Sequence, residues 1–473
     1  MNKLLPARVA PLRRPQCTSP RRTGPQETPA CSPVVRIAKD TEDLSLARGM
    51  ATRCLSGTAT GDQSRSTRIA LYSHDAMGLG HMRRNLLLAQ ALAAPPLEAT
   101  VLLITGAGEA TAFGMPPNVD CLTLPALRKD AKGGYHPRNL NIAFRELIEL
   151  RARTIRTSLE AFKPDVFIVD KVPRGVGREL TMTLEYLRMY GRTRCVLGLR
   201  DILDEPEAVR REWLRDANEE AIARYYDAVW IYGDPQVYDA VQEYAFPPQL
   251  ARKVSYTGYL DQRLRHATES SNGDDLLARL DLPEGRLMLC MVGGGQDGAR
   301  LAEAFSRAEL PEDATGVILT GPYMPKAVQE RLQRRAGRNP RLRVVSFVSD
   351  PSPLLNRAER VVAMGGYNTV GEILAFGRNA LIVPRTTPRL EQWIRAERLS
   401  ELGLVDTLHP DRLRPASISE YLFRDIEPRA QACEQVDMNG LSRLPGLLAE
   451  LIDNRGYSTH TFIHGEGARY VAQ

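Results

Sequence analysis

Arg360-Val-Val-Ala-Met-Gly-Gly-Tyr-Asn-Thr-Val-Gly-Glu372 holds a strand, a turn and the start of a helix in one short stretch. Its apolar run ends in a glycine pair, and a helix-compatible segment follows. A strand covered by helices on both faces is apolar throughout, so the run points to a parallel sheet rather than a half-exposed antiparallel one. Gly365 and Gly366 let an anion come close to the chain, and Asn368 and Thr369 are N-cap residue types at a helix start that offers free N–H groups. Thr369-x-x-Glu372 also fits a capping box, in which Glu372 would bond only backbone. Alternatively, a carboxylate one turn into that helix is placed to accept from ribose hydroxyls.

The same junction occurs once more upstream. Leu287-Met-Leu-Cys-Met-Val292 runs into Gly293-Gly294-Gly295-Gln296-Asp-Gly298-Ala-Arg300. Gly293, Gly295 and Gly298 satisfy GxGxxG, but a dinucleotide site needs an acid at the end of the next strand, and that strand ends Leu319-Thr-Gly-Pro. The NAD reading fails there. Two glycine-rich helix starts in one domain fit a pyrophosphate clamp better, with a ligand-free tight turn as the bland alternative. Short apolar runs at 316–320, 342–347 and 380–383 complete a βα series.

A first series precedes it. Runs at 69–73, 99–105, 165–170, 195–199 and 228–232 alternate with helical stretches, and the rhythm pauses near Ser255–Leu260. The expected fold class is therefore α/β: two doubly wound parallel-sheet domains facing across a ligand cleft. The expected spans are 1–66 for a basic leader, 67–257 and 258–452 for the two domains, and 453–473 for a polar tail.

Charge supports that division. The chain of 473 residues has a formal charge of +6, and residues 1–67 carry 11 Lys/Arg against 5 Asp/Glu, so the remainder balances to zero. A neutral globular part argues against a nucleic-acid partner. The leader is rich in Pro, Arg and Ser and is read as disordered, with a targeting segment or a start at Met50 as alternatives. No apolar run reaches membrane-spanning length, so any membrane contact is expected to be peripheral. Seven scattered cysteines (17, 31, 54, 121, 195, 290 and 433) form no CxxC, which suits reduced thiols in a cytoplasmic protein.

The N-terminal series supplies side chains with acid–base chemistry. Gly78-Leu-Gly-His81 follows the first strand, and an imidazole on such a loop faces the cleft and is suited to take a proton from a hydroxyl. Asp75 and Asp201 are the next candidates for that base. Asp170 and Arg174, Arg200 and Asp201, and Asp234 stand at other strand ends. Each could line an acceptor pocket or serve as an N-cap or ion-pair partner. No DxD, HExxH, GxSxG or P-loop lysine motif occurs, so no metal site is expected. Stabilising a leaving diphosphate would fall to helix starts, backbone N–H groups and basic side chains such as Arg300 or Arg389.

These residues carry a family likeness. Gly293–Arg300 resembles the Gly-Gly-Ser-Gln-Gly-Ala-Arg loop of MurG-type (family 28) glycosyltransferases, with Gly295 in place of serine and one residue inserted. Ala363–Glu372 resembles their strand, small-residue loop and helix reaching Glu, and Pro384–Gln392 their Pro-(x)n-Arg/Asp-x-Gln-Gln segment, with Glu391 where glutamine is frequent. The Gly-x-Gly-His-x-x-Arg loop at 78–84 is similar to that of the superfamily and of nucleotide-sugar hydrolases sharing its fold. The likeness implies a GT-B fold and a cytoplasmic enzyme, with the inner membrane face as one location. It implies a metal-independent, inverting transfer of a hexose or N-acetylhexosamine from a nucleotide sugar, a UDP-sugar first, without a cofactor. His81 would be the base and Glu372 the ribose ligand. The 293–298 and 365–369 loops would hold the diphosphate, Phe347 and Val348 the nucleobase, and Glu391 and Gln392 the sugar. The acceptor would be a glycan, a lipid-linked sugar or a small molecule. A hydrolase or epimerase of the same fold, or a non-catalytic nucleotide-sugar sensor, are the alternatives.

Overall fold

The computed structural model describes residues 65–75, 80–108, 114–130, 134–265, 272–348, 350–425 and 435–453. Nearly all of the 1–66 leader and the 453–473 tail, together with Gly78, part of the polar stretch after Thr268 and the cysteines at 17, 31, 54 and 433, lie outside them. Cys121, Cys195 and Cys290 are free thiols.

The chain alternates strand and helix through two parallel sheets. In the N-terminal half the strands are β1 (Arg68–Ser73), β2 (Thr100–Thr105), β3 (Val119–Thr123), a hairpin of β4 (Leu127–Lys129) and β5 (Tyr135–Pro137), then β6 (Val166–Asp170), β7 (Arg194–Arg200), β8 (Ala228–Tyr232) and β9 (Val254–Tyr256). Seven of them form one sheet in the order β3-β2-β1-β6-β7-β8-β9. The C-terminal half has β10 (Arg286–Met291), β11 (Ala314–Leu319), β12 (Leu342–Val345), β13 (Ala358–Ala363), β14 (Asn379–Ile382) and β15 (Asp406–Thr407), ordered β12-β11-β10-β13-β14-β15. Every pairing within these two sheets is parallel.

The central strands are apolar because helices cover both of their faces: all five residues of β6 are buried, as are five of six in β1 and β10. Strand order reverses between β1 and β6 and again between β10 and β13. Ligands of open parallel sheets lie outside the carboxyl ends of strands at such reversals. The loops to helix Gly80–Ala93 and helix Tyr367–Ala375 leave the sheets at these points.

The first sheet ends with β9 and the second begins with β10, but the end of the chain returns to the N-terminal half. The closing helix Gly440–Asp453 buries Leu441, Leu444 and Leu448 in the same apolar cluster as Met82, Leu86 and Leu92 of helix Gly80–Ala93. A β-bridge between Leu260 and Asn439 leads the chain back toward the N-terminal half. Among the described residues, no helix is long and apolar enough to cross a membrane.

Candidate functional site

A cavity of about 370 Å³ lies between the halves at the carboxyl ends of β1, β6, β10 and β13. Its C-terminal wall includes both glycine loops. Gly293, Gly294, Gly366, Asn368 and Thr369 line it, and Glu372 stands behind them, nearly fully buried. Gly366 is the N-cap of helix Tyr367–Ala375, and no side chain caps that helix. Thr369 is therefore inside the first turn, and the capping-box reading of Thr369 and Glu372 does not hold. Asn368 is not the cap either: its Nδ2 donates to the Gly80 carbonyl at 2.9 Å, across the cleft.

Other donor-side residues sort by depth. A Cβ on Gly295 would sit 2.0 Å from the Thr320 carbonyl, at a φ of +91°. This explains a glycine where the related loop has serine, and it makes Gly295 a buried turn residue rather than a ligand contact. Gly365 likewise packs on Gln392, and its carbonyl accepts from Arg395. Gln296 and Arg300 are exposed and absent from the lining; Arg300 donates to the Pro410 carbonyl at 3.2 Å. Phe347, Val348, Arg389, Glu391 and Gln392 do line the cavity. The Glu391 carboxylate is bound by Arg385 at 2.6 Å, and Arg385 also reaches Asp297 at 2.9 Å, tying the first glycine loop to the 385–392 segment. Burial would raise the Glu391 pKa, but Arg200, Arg385 and Arg395 bring it down to about 2.

The N-terminal wall is made of ionisable side chains. His81 occupies the first turn of helix Gly80–Ala93, and its Nδ1 bonds the Asp170 carboxylate at the end of β6. Arg84, one turn further along, binds the other oxygen of Asp170. Burial would raise Asp170, but Arg84 and His81 outweigh it and hold the carboxyl well below its usual range. An ionised carboxylate only accepts, so Nδ1 is the donor in its bond to Asp170, and Arg84 Nη2 lies 3.1 Å from the same nitrogen. Asp170, expected on the acceptor side, is instead the partner that orients His81.

The other acids expected at strand ends are structural. Asp201 makes a bidentate ion pair with Arg395 at 2.6 and 2.8 Å and accepts from Tyr259 at 2.9 Å, fully buried at the junction of the halves. Asp234 accepts from the amides of Gln236 and Asp437, both at 2.8 Å. Asp75 accepts from the Met82 amide and from the hydroxyls of Ser73 and Thr105, tying the end of β1 to the first turn of helix Gly80–Ala93. None of the three lines the cavity, so neither Asp75 nor Asp201 is placed to act as a base. Arg200 faces the cavity, and Arg174 lines a second one beside it.

Sequence reasoning missed His74, Arg385 and the Lys129–Tyr135 pair and read Lys171 only as part of the 170–174 cluster; all are in the lining. The signal for two of them was present, since His74 and Lys171 directly follow β1 and β6 at their carboxyl ends. His74 is buried beside His81, with ring centroids 5.1 Å apart, and burial followed by the His81 charge pushes its pKa well below the ordinary value.

Two doubly wound parallel sheets with a cleft at their switch points define the GT-B fold. A UDP-glucosyltransferase from Polygonum tinctorium matches it with a TM-score of 0.54 at 13% identity, over 83% of this chain and 100% of that one. A UDP-GlcNAc 2-epimerase from Neisseria meningitidis, solved with UDP-GlcNAc, matches with a TM-score of 0.52 at 12% identity, over 82% of this chain and 100% of that one. At such identities the likeness establishes the fold alone. Within that fold, residues 288–450 match the Glycosyltransferase family 28 C-terminal domain, so the C-terminal half carries the domain its glycine loops resemble. A 106-residue stretch is also 34% identical to the UDP-N-acetylglucosamine–N-acetylmuramyl-(pentapeptide) pyrophosphoryl-undecaprenol N-acetylglucosamine transferase of Sorangium cellulosum. That stretch is 21% of this chain and spans 26% of the relative.

Proposed function

We propose that the protein is a glycosyltransferase that moves a hexose or N-acetylhexosamine from a nucleotide sugar, UDP-linked in the first instance, to an acceptor hydroxyl. One observation carries the reading: a histidine locked by a carboxylate faces, across a single cavity, two glycine loops of a family 28 C-terminal domain. His81 Nε2 takes the proton of the attacking hydroxyl, and Asp170 stabilises the imidazolium that forms. Backbone N–H groups at the start of helix Tyr367–Ala375 and the cleft arginines receive charge as the diphosphate leaves. Glu372 accepts from the ribose, Phe347 and Val348 flank the base, and Gln392 with the Arg385–Glu391 pair contacts the sugar. A single displacement inverts the anomeric centre. The absence of a DxD motif in the chain supports metal independence, and a relative named for a pyrophosphoryl-undecaprenol substrate supports peripheral membrane contact.

Thermal-shift screening of nucleotide sugars, followed by a product assay on the best binder, tests the reading. Transfer should proceed in EDTA. A rate abolished by chelation and restored by magnesium or manganese would overturn the metal-free part. Free sugar released equally fast without any acceptor would replace transfer by hydrolysis.

A further inference from the structure

The cleft continues into a second cavity of about 380 Å³, and Lys129, Tyr135, Lys171 and Arg389 line both. Every other residue of the second cavity belongs to the N-terminal half, and none comes from the glycine loops. Its walls combine apolar groups such as Val172, Val209 and Trp213 with cations.

Most of the charged groups around this passage are matched. Arg389 is bound by Glu212 at 2.6 Å, Arg215 by Asp216 at 2.9 Å, and Arg385 by Glu391. Among those that are not are Lys171 and Arg200, which both line the first cavity. Lys171 follows β6 and Arg200 ends β7, the adjacent strand, where the Lys171 amide donates to the Gly198 carbonyl at 2.8 Å. Neither side chain makes a hydrogen bond or ion pair among the described residues, and the Arg200 Nε is buried without a partner. Glu391 lies near enough to favour the Arg200 charge, but its carboxylate is already bonded to Arg385. Burial, then the Arg200 and Arg389 charges, lower Lys171 to about 7, with Glu212 and Glu391 only partly offsetting them. Half-buried like charges on adjacent strand ends, bonded to no carboxylate among the described residues, indicate a ligand that supplies one.

We propose that Lys171 and Arg200 form an oxyanion subsite on the N-terminal wall of the cleft that binds a carboxylate or phosphate carried by the acceptor. The planar guanidinium offers a paired N–H face and the ammonium a second, mobile donor, which together suit a three- or two-oxygen anion. The subsite lies next to Asp170 in sequence, so an acceptor anchored there presents its hydroxyl to His81. The acceptor role rests on the glycosyl-transfer reading; the anion preference does not.

Calorimetry of the full-length protein with glucose 6-phosphate, glucuronate and glucose, each with and without saturating UDP, is the test. Both anions, or one of them, should bind about tenfold or more tighter than glucose, the return for a charge-assisted hydrogen bond. The stronger anion identifies phosphate or carboxylate as the ligand group. Lys171→Met and Arg200→Met should each erase that preference, Lys171→Arg should keep much of it, and Glu372→Ala should leave it intact. Removing an unpaired half-buried cation should not lower the melting temperature, so loss of binding would not reflect loss of fold. Equal affinity for all three sugars, or an anion preference that survives in the double Met variant, overturns the subsite. Should UDP fail to bind while the preference depends on Lys171 and Arg200, the transfer reading falls and the subsite stands.

Discussion

The two walls of the cleft are built from different materials. The C-terminal wall offers glycines, backbone N–H groups and the buried carboxylates of Glu372 and Glu391, the latter bound to Arg385, whereas the N-terminal wall offers His74, His81, Arg84, Lys171 and Arg200. A diphosphate is the same in every nucleotide sugar, and fixed backbone geometry recognises it without reference to the rest of the ligand. Proton transfer and acceptor choice need ionisable groups whose pKa values are set by their neighbours. The difference predicts a division of labour: changes on the N-terminal wall should act on turnover, and changes on the C-terminal wall on donor affinity.

The most severe test of that division is at the dyad. His81→Ala and Asp170→Asn should each lower the turnover number by about 10²–10⁴-fold, the usual share of general base catalysis, with donor affinity within a few-fold. Steady-state rates and donor titration on both variants measure this. A near wild-type rate in Asp170→Asn would mean that the carboxylate does not set the imidazole's state.

The junction between the walls comes next. Asp201→Ala leaves Arg395 buried and unpaired, and should cost about 3–5 kcal/mol of stability in denaturant unfolding. A loss under 1 kcal/mol would show that water reaches Arg395 and that the halves are not fastened there.

On the C-terminal wall, Glu372→Ala should weaken nucleotide-sugar binding by about 1–3 kcal/mol while leaving the turnover number of the saturated enzyme nearly intact. Calorimetry decides. Unchanged affinity with a lower melting temperature would make Glu372 a structural residue of its helix.

The smallest effect is a pH dependence. The Glu391 carboxyl is held at about 2, against an ordinary 4.5, so the folded state binds its proton less readily than the unfolded chain. Its contribution to stability is complete above the ordinary value and disappears as pH falls from there toward 2. The stability gap between wild type and Glu391→Gln should therefore shrink between pH 6 and pH 3. A constant gap would place the effect in packing rather than in the Arg385 pairing.

The sequence alone determined the architecture and the donor loops. Apolar runs such as 166–169 and 287–292 read as strands of a doubly covered sheet, and Gly293-Gly294 and Gly365-Gly366 mark close backbone approach by a local rule. Edge elements were harder to read: β3, β9, β15 and the β4–β5 hairpin are short and half-exposed, and so lack that apolar signature. Local rules could also misdirect, as with the capping box at Thr369 and Glu372, because spacing does not reveal where a helix begins. The roles of the acids were set only by the tertiary structure. Asp170, Asp201 and Asp234 look alike at three strand ends, yet one meets a histidine, one an arginine from the other half, and one two amides. A carboxylate's function depends on which charge lies within a few ångströms of it, and here those partners come from elsewhere in the chain, up to 203 residues away for Asp234 and Asp437.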